Sequence, residues 1–365
     1  MTLRRLSVQN LRNLSLVDIE LNSQLNVFYG ANGSGKTSLL EAISILSLGR
    51  SFRSRKFKTL INKDQQAYTV FGLVQDSQGS ELPVGVQRGR QAPALIKKNG
   101  AVCSTAAELA ETLPVRVMNG HSFGLLEGAP QIRREFLDWL VFHVEPEFYG
   151  VWKSYEKCLK QRNSLLRRDK IDPLQLSLWD RELAPLAQRL DHFRAATQAR
   201  LNPVFTELIS GFRGLETVSM RYSRGWDQAI DFTELLSDTR LRDSELGYTR
   251  QGPHRADLRI TSDKALALDV LSRGQQKIVV SALMIAQGIV FSEATSRTCV
   301  FLIDDLPAEL DENFRQTLAG WLHDMNCQVC VTGVDKQTLL DSWKPYNPEK
   351  TVFHVKHGAV TQDLS

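Results

Sequence analysis

The residues most able to do chemistry begin in FYGANGSGKTSLLEAIS, residues 28–44, where Gly30, Gly35, Lys36 and Thr37 satisfy the pattern G-x-x-x-x-G-K-[ST]. In a loop of this type, backbone N–H groups at a helix N-terminus surround the phosphates of a nucleotide. The lysine reaches the β- and γ-phosphate oxygens, and the threonine hydroxyl can bind Mg²⁺. The motif predicts a nucleotide-binding loop made of Gly30, Ala31, Asn32, Gly33, Ser34, Gly35, Lys36, Thr37 and Ser38.

A second candidate group is the pair of acids that follows the apolar run in TCVFLIDDLPAELD. Asp304 is predicted to hold Mg²⁺, directly or through water, and Asp305 to lie where a base can orient the attacking water. Lys36 and Asp305 are therefore the candidate catalytic residues for nucleotide hydrolysis.

A third candidate group is the turn in LSRGQQK, residues 271–277, which precedes a helix with apolar periodicity. At a helix N-terminus, its four residues would form a second anion-binding turn; they are Ser272, Arg273, Gly274 and Gln275. Because the nucleotide of one chain does not obviously require a second turn, we expect this turn to contact the nucleotide of another chain.

These groups need particular elements around them. QLNVFYG reads as a buried strand that enters the phosphate loop, and KTSLLEAISILSLG reads as the helix that leaves it. Before them, residues 3–21 alternate apolar and polar residues on both sides of a turn at 10–13, which predicts a β-hairpin. Strand, loop and helix form the context that the nucleotide motif requires.

The middle of the chain has a different pattern of apolar residues. From about residue 125, apolar and aromatic residues recur at helical spacing through EFYGVWKSYEKCLKQRNSLLRR and again after Pro173, which predicts packed antiparallel helices. ETVSMRY, ADLRI and ALALDV then read as strands. The predicted lobes are residues 1–120, an inserted helical lobe at 121–245, and residues 246–365, which complete the first lobe.

Composition places the chain among ordinary globular proteins. It has 365 residues, 42% hydrophobic and 24% charged, with a net charge of +4. Neither a signal peptide nor a membrane span is supported, because the N-terminus lacks an apolar core and KIVVSALMIAQGIVF is interrupted by polar residues. A cytoplasmic protein is expected. Cys327 and Cys330 form a C-x-x-C inside an apolar run, which predicts buried strand cysteines rather than a redox or metal site.

A basic run follows the phosphate-loop helix in GRSFRSRKFK. The run has two interpretations: a solvated surface, or a set of contacts to nucleic-acid phosphates. The candidate DNA-binding residues are Arg50, Arg53, Arg55, Lys56 and Lys58. No aromatic platform or recognition helix is evident, so sequence-neutral binding is expected.

A phosphate loop, a Ser-x-Gly-Gln turn and a double-acid strand together resemble the ATP-binding-cassette ATPases. More than two hundred residues separate Lys36 from Ser272, too many for a compact transporter cassette. The sequence therefore resembles the SMC-like branch, in which an insertion divides the ATPase head, although it lacks the long heptad segments. NLRNL, LGRSFRS, EGAPQIRREFLDW, QRNSLLR, GPHRADL and LSRGQQK together resemble the RecF family.

The resemblance implies an α/β fold, an ABC-type ATPase head with an inserted, mainly helical second lobe. It implies ATP and Mg²⁺ as cofactors, weak ATPase activity and an ATP-dependent homodimer. It also implies binding to gapped duplex or single-strand/duplex junctions, and RecR, RecO and RecA as partners in recombinational repair and replication restart. Arg12 and Asn13 are candidates for contacts near the nucleotide, by similarity to SMC heads.

Departures from the family pattern put some roles in doubt. Ala256 occupies the place of a first acid before Asp257, and Ala308 the place of a serine in the turn after the double acid. VTGVD offers Thr332 where transporter cassettes carry a histidine after the last core strand. Two alternatives remain open: the ATPase subunit of a membrane transporter, and a small-molecule phosphotransferase.

Overall fold

The computed structural model describes residues 1–103, 105–168, 170 and 172–364, with the side chains of Ala308 and Glu309 outside the description. Its strands are β1 (Thr2–Leu11), β2 (Leu14–Glu20), β3 (Leu25–Tyr29), β4 (Ala67–Gln75), β5 (Glu81–Gly89), β6 (Leu95–Lys98), β7 (Ala101–Val102), β8 (Val115–Met118), β9 (Val218–Ser223), β10 (Asp257–Ser262), β11 (Ala265–Leu266), β12 (Val300–Ile303), β13 (Val329–Gly333), β14 (Lys350–Lys356) and β15 (Ala359–Asp363). Its α-helices are α1 (Lys36–Leu48), α2 (Ala107–Thr112), α3 (Gly124–Glu127), α4 (Pro130–Val144), α5 (Phe148–Leu166), α6 (Pro173–Ser210), α7 (Phe232–Asp238), α8 (Arg240–Leu246), α9 (Ala267–Val270), α10 (Arg273–Thr295), α11 (Leu306–Glu309), α12 (Glu312–Asp324) and α13 (Lys336–Asp341). Short 3-10 helices span Phe57–Thr59, Gly120–Phe123 and Pro253–Arg255.

The chain forms two compact units. The first unit consists of Met1–Ser122 with Leu283–Ser365, and the second of Phe123–Ala282. The boundary between them on the C-terminal side lies within α10. The division into lobes at residues 120 and 245 stays a prediction.

The first unit contains two sheets among its described strands. One has the order β2-β1-β4-β5-β6-β7 with antiparallel neighbours. The other has the order β15-β14-β3-β13-β12-β8 and is parallel except for the β14–β15 pair. The predicted β-hairpin is confirmed by β1 and β2, whose pairing runs from Arg5 opposite Glu20 to Leu11 opposite Leu14.

Helix α1 lies between these two sheets. It contacts β1, β4 and β5 of the antiparallel sheet and β8 and β13 of the parallel sheet. Every residue from Ser38 to Ser47 is buried, because both flanks of the helix face a sheet. The N-terminus of α1, where the phosphate loop ends, is therefore held by the main hydrophobic core.

The hydrophobic core of the second unit lies among helices α4, α5, α6 and α7, and the unit also contains a small sheet. Its core joins α4, α5 and α6 through residues such as Leu137, Phe148 and Leu183, and this confirms the predicted helical packing. Trp152 on α5 is 36% exposed and stacks on Tyr149. The sheet has the order β11-β10-β9 with antiparallel neighbours.

Two of the three predicted strands in this region are confirmed. ETVSMRY overlaps β9 and ADLRI overlaps β10, although each strand extends one or two residues beyond the predicted stretch. The prediction for ALALDV is wrong beyond Leu266, because Ala267–Val270 form helix α9. Alanine and leucine favour helix, and without a longer strand partner their intrinsic preference decides the conformation.

The predicted burial of the C-x-x-C cysteines is confirmed. Cys330 lies in β13 and Cys327 just before it, and both are buried. Burial raises the pKa of Cys330 to about 12 and the pKa of Cys327 well above its usual value.

Among the described residues, one helix, α10, is long and apolar enough to cross a membrane by length and composition. Two thirds of its most apolar window, 67%, is buried inside the protein. Core helices of globular proteins meet the same criteria, so this is weak evidence for a membrane span.

A buried ionic network joins the helices of the second unit. Arg162 on α5 is fully buried; its Nε donates to Asp180 at 2.7 Å and its Nη1 to Asp243 at 2.8 Å. Nη1 also donates to the Thr249 hydroxyl, and Arg240 pairs with Asp180. Removing one member of a buried network leaves charges of the other sign without compensation.

We predict that Arg162→Leu destabilises the protein by about 3–5 kcal/mol, because Asp180 and Asp243 lose their shared buried counter-ion. Arg189→Leu is the control, since its ion pair with Glu147 is largely exposed and should contribute less than about 1 kcal/mol. Urea unfolding followed by tryptophan fluorescence measures both, and equal effects of the two changes would contradict the prediction.

Candidate nucleotide-binding site

The phosphate loop connects β3 to α1 and depends on glycines at its two ends. Gly30 and Gly35 have φ values of 150° and 122°, which favour glycine. A Cβ atom on Gly30 would lie 2.2 Å from the carbonyl oxygen of Val355, and one on Gly35 would lie 3.0 Å from Leu14. The loop can follow this path only because both positions lack side chains.

Lys36, the first residue of α1, points into the loop. Its Nζ donates to the carbonyl oxygens of Gly30 at 2.7 Å and Ala31 at 3.0 Å. Burial lowers the pKa of its ammonium group, and the charges of Asp305 and Asp304 oppose that shift. The lysine is therefore a positioned cation facing two carboxylates.

One carboxylate oxygen of Asp304 accepts hydrogen bonds from two hydroxyl groups. Thr37 Oγ1 donates to Asp304 Oδ1 at 2.9 Å, and Thr332 Oγ1 donates to the same atom at 2.8 Å. The backbone N–H of Asp305 donates to Thr332 Oγ1 at 2.8 Å. Thr332 lies where transporter cassettes carry a histidine, and its hydroxyl group links the two acids.

These residues line a cleft of about 540 Å³ in the first unit. Its walls contain Lys36 and Thr37 from the loop, the two acids, and Thr332 from β13. The remaining lining residues are Arg12, Asn13, Asn32, Gly33, Gly35, Ser38, Arg53, Thr59, Ile61 and Lys63. Four cations (Arg12, Lys36, Arg53, Lys63) and two carboxylates (Asp304, Asp305) therefore face one space.

The donor set of Thr37 and Asp304 fits Mg²⁺. A hydroxyl and a carboxylate are hard oxygen ligands, and Mg²⁺ usually takes few protein ligands together with phosphate oxygens and water. Among the described residues, no cluster of three or more His, Cys, Asp or Glu side chains could hold a metal ion by itself.

The hairpin turn between β1 and β2 reaches the phosphate loop. Asn13 Nδ2 donates to the Gly33 carbonyl at 3.3 Å, and Ser38 Oγ donates to Asn13 Oδ1 at 3.1 Å. Arg12 adopts a left-handed backbone, φ 54°, and its N–H donates to Leu60 at 2.6 Å. Both residues named by similarity to SMC heads are thus at the cleft.

Sequence reasoning missed Glu41, which lies behind the cleft on α1. Its side chain is fully buried and accepts hydrogen bonds from Arg12 Nε at 3.1 Å and Arg12 Nη2 at 3.0 Å. The Ser51 hydroxyl donates to it at 2.5 Å. The available signal was an acid inside LLEAI, where a helix buried on all sides should be apolar.

The basic run after α1 is exposed, and one of its members differs from the rest. Arg53 lines the cleft, with its Nη1 3.5 Å from Glu41 Oε2. The other candidate DNA-binding residues are not among those that line this cleft; they are Arg50, Arg55, Lys56 and Lys58.

Ser272, Arg273, Gly274 and Gln275 belong to the second unit, at the beginning of α10. Ser272 Oγ accepts from the Gln275 N–H at 3.3 Å, and Gln275 Oε1 accepts from the Ser272 N–H at 3.0 Å. This reciprocal pair is a capping box, which orders the turn. Ser272, Arg273 and Gly274 are exposed.

At the departure where Ala256 precedes Asp257, the structure describes the contacts of both residues. Asp257 accepts from Arg133 Nε at 2.7 Å, and the carbonyl of Ala256 accepts from Arg134 at 2.6 Å. The side chain of Ala308 lies outside the described residues.

Comparison with known proteins agrees with this geometry. The family profile described as "RecF/RecN/SMC N terminal domain" matches residues 2–359. A solved structure described as "Structure of the recombination mediator protein RecF-ATPrS in RecFOR pathway" covers 100% of this chain and 98% of its own, with 24% identity and a TM-score of 0.86. An SMC head bound to the C-winged helix domain of ScpA covers 100% and 98%, with 13% identity and a TM-score of 0.60. The predicted fold, an α/β ABC-type ATPase head with an inserted helical lobe, is confirmed.

Curated relatives extend the likeness to sequence. The DNA replication and repair protein RecF of Cellvibrio japonicus (strain Ueda107) is 53% identical over 99% of both chains. The protein of the same name from Pseudomonas aeruginosa (strain LESB58) is 48% identical over 99% of this chain and 98% of its own. By sequence and by fold, this chain belongs to the RecF family.

Proposed function

We propose that this chain is an ATP-dependent DNA-binding protein of recombinational repair and replication restart. ATP occupies the cleft at the phosphate loop and holds two chains together on DNA, and slow hydrolysis releases them. The observation that carries the proposal is the meeting of Lys36, Thr37, Asp304 and Asp305 in one cleft of a RecF-family chain. The relatives' name, DNA replication and repair protein, supports the biological setting.

ATP binding uses the loop and its lysine. Lys36 Nζ carries three N–H donors, and the carbonyls of Gly30 and Ala31 accept two of them. Among the described residues, this leaves one donor for a phosphate oxygen. Thr37 and Asp304 would hold Mg²⁺, which neutralises phosphate charge when bound.

Hydrolysis depends on how the acids are held. Asp304 accepts two hydroxyl hydrogen bonds, so its carboxylate is fixed beside Thr37. Asp305 has a left-handed backbone, φ 54°, which follows from its position at the sharp turn after β12. We assign to Asp305 the orientation of the attacking water, and we expect weak ATPase activity because Thr332 stands where a histidine would sense the γ-phosphate.

Dimerisation follows from the second anion-binding turn. Ser272 and its neighbours form an exposed, ordered helix N-terminus, and such an end attracts phosphate. In the proposed dimer, this turn contacts the γ-phosphate held by the other chain, so two composite sites form across a two-fold axis.

DNA and protein partners complete the proposal. The DNA is a gapped duplex or a single-strand/duplex junction, contacted through phosphates by the exposed basic run. RecO, RecR and RecA are the proposed partners, in a cytoplasmic, nucleoid-associated complex. The description of the RecF neighbour as a recombination mediator in the RecFOR pathway supports RecO and RecR, and RecA is proposed from the family resemblance.

We predict that Lys36→Met weakens ATP binding roughly 10- to 100-fold, because a charge-assisted hydrogen bond to phosphate is lost. ATP-dependent binding to gapped DNA should be lost with it. Titrations of nucleotide and of gapped, duplex and single-stranded DNA, with ATP, ADP or neither, measure both effects. Lys344→Met, at an exposed lysine outside the cleft, is the control, and unchanged ATP affinity in Lys36→Met would refute the assignment.

Asp305→Asn should bind ATP but hydrolyse it about 10²- to 10⁴-fold more slowly, because the water loses its base. The DNA-bound dimer should then persist after ATP addition. Single-turnover hydrolysis and DNA dissociation rates test this, with Asp324→Asn at an exposed carboxylate as the control. Hydrolysis at the parental rate would place the base elsewhere.

The wild-type protein should be monomeric without nucleotide and dimeric with ATP, as measured by sedimentation. Lys36→Met and Ser272→Asp should each lack ATPase activity. Aspartate keeps the helix cap, so its effect comes from charge repulsion at the phosphate rather than from loss of the cap.

Mixing these two variants should restore part of the activity. In the mixed dimer both defects fall in one composite site, and the other site keeps an intact Lys36 and an intact Ser272. A mixture as inactive as its components would argue against shared sites, as would full activity in a strictly monomeric protein.

A further inference from the structure

The cation of the second anion-binding turn is engaged by groups of its own chain. Arg273 Nη1 donates to the carboxylate of Glu127 on α3 and to Gln276 Oε1 at 3.2 Å. All three residues belong to the second unit. The function proposed above gives Glu127 no role, although its negative charge lies beside a turn that is expected to receive phosphate. This carboxylate therefore requires an explanation of its own.

Gln276 holds one side of Arg273 because it is itself fixed. Gln276 is 4% exposed, and its Nε2 donates to the carbonyl oxygens of Leu268 at 3.1 Å and Leu271 at 2.9 Å. A side-chain amide has two donors on its nitrogen, and both have backbone acceptors here. Its Oε1 therefore faces Arg273 as an acceptor in a fixed position.

The backbone that carries Glu127 is also supported. Arg133 Nη1 donates to the carbonyl oxygen of Gly128, the residue after Glu127, at 2.8 Å. Its Nε and Nη2 donate to Asp257 at 2.7 Å and 3.1 Å, in a mostly buried bidentate pair. Such a pair is geometrically specific. Asp257 and Arg133 thus fix the end of α3, from which Glu127 reaches Arg273.

The Glu127–Arg273 pair is of the kind that another anion can replace. The two side chains are 41% and 74% exposed, and solvated ion pairs of this type are weak. A terminal phosphate carries a charge of about −1.5 to −2, whereas a carboxylate carries a single negative charge. A γ-phosphate brought to the turn by another chain can therefore take Arg273 from Glu127, at the cost of breaking this pair.

We propose that Glu127 competes with the γ-phosphate of the other chain for Arg273 and so opposes closure of the dimer. The inference rests on the proposed ATP-dependent dimer. Glu127 touches no nucleotide itself and acts through Arg273, while Arg133 and Asp257 hold it in place. The acid retained after Ala256 thereby gains a function in the control of dimerisation.

The first test measures the dimer dissociation constant of Glu127→Gln by sedimentation, with a slowly hydrolysed ATP analogue at saturation. Glutamine keeps the size of the side chain and removes the competing charge. One exposed ion pair changes an equilibrium about twofold to fivefold, and each dimer breaks two pairs, so the dimer should become roughly 4- to 25-fold tighter. Glu245→Gln, at an exposed carboxylate of α8, is the control and should stay within about twofold of the wild type.

A merely structural role for Glu127 gives the opposite result. If the carboxylate served to order the turn for phosphate, Glu127→Gln would weaken the dimer. A weaker or unchanged dimer would therefore overturn the inference. The thermal midpoint of Glu127→Gln should stay close to that of the wild type, because the lost pair is exposed.

The second test asks whether Glu127 acts through Arg273. Arg273→Gln should weaken the dimer by itself, and adding Glu127→Gln to it should change the dissociation constant less than about twofold, so the two effects are not additive. The same gain with and without Arg273 would show that Glu127 acts only by its electric field, and it would overturn the proposed competition.

The wild type separates failure of this inference from failure of the proposed function. A wild-type protein that dimerises with the ATP analogue, beside a Glu127→Gln variant that dimerises no more tightly, refutes the competition alone. A protein that binds the analogue but stays monomeric, both as wild type and as Glu127→Gln, refutes the proposed dimer and the competition together.

Discussion

The site depends on one carboxylate oxygen, Asp304 Oδ1, which accepts hydrogen bonds from Thr37 and Thr332. Thr37 belongs to α1, Thr332 to β13, and Asp304 follows β12. A single acceptor therefore holds together three segments that are far apart in sequence. This contact keeps the oxygen atoms of Thr37 and Asp304 close to each other. Because a hydroxyl hydrogen atom can rotate toward another acceptor, both oxygen atoms can still bind a further partner.

The order of the parallel sheet makes this convergence possible. Strands β3, β13 and β12 are parallel neighbours, with Thr332 opposite Phe28 and Ile303 opposite Val331. The carboxyl ends of parallel strands meet at one edge of a sheet, and ligands bind there in open α/β folds. Each functional group of the cleft lies at the carboxyl end of one of these strands: the phosphate loop after β3, Thr332 near the end of β13, and the two acids after β12. The topology therefore brings these groups together in one cleft.

Much of this arrangement could be predicted from sequence because its signals are local. The glycine pattern before Lys36, the acids after an apolar strand and the helical periodicity after residue 125 each lie in one short stretch. Glu41 with Arg12 and Arg53 could not be derived this way, since the partners lie 29 and 12 residues from it and no periodic pattern relates them. The helix at Ala267–Val270 was missed for a different reason, because ALALDV is too short for periodicity to separate strand from helix.

Glu41 also bears on how nucleotide and DNA could be coupled. The segment from Ser51 to Lys63 contains four residues that line the cleft, Arg53, Thr59, Ile61 and Lys63, and Arg12 Nη1 donates to the Thr59 carbonyl at 3.0 Å. Arg12 and Glu41 therefore contact both ends of the stretch that carries Arg55, Lys56 and Lys58. A ligand that draws Arg12 or Arg53 toward the cleft changes the contacts that these arginines make with this stretch. A ligand shifts a conformational equilibrium only if its interactions differ between the two conformations. The carboxylate on α1 thus contacts both Arg12, which lines the cleft, and Ser51, at the start of the segment that carries the exposed basic run.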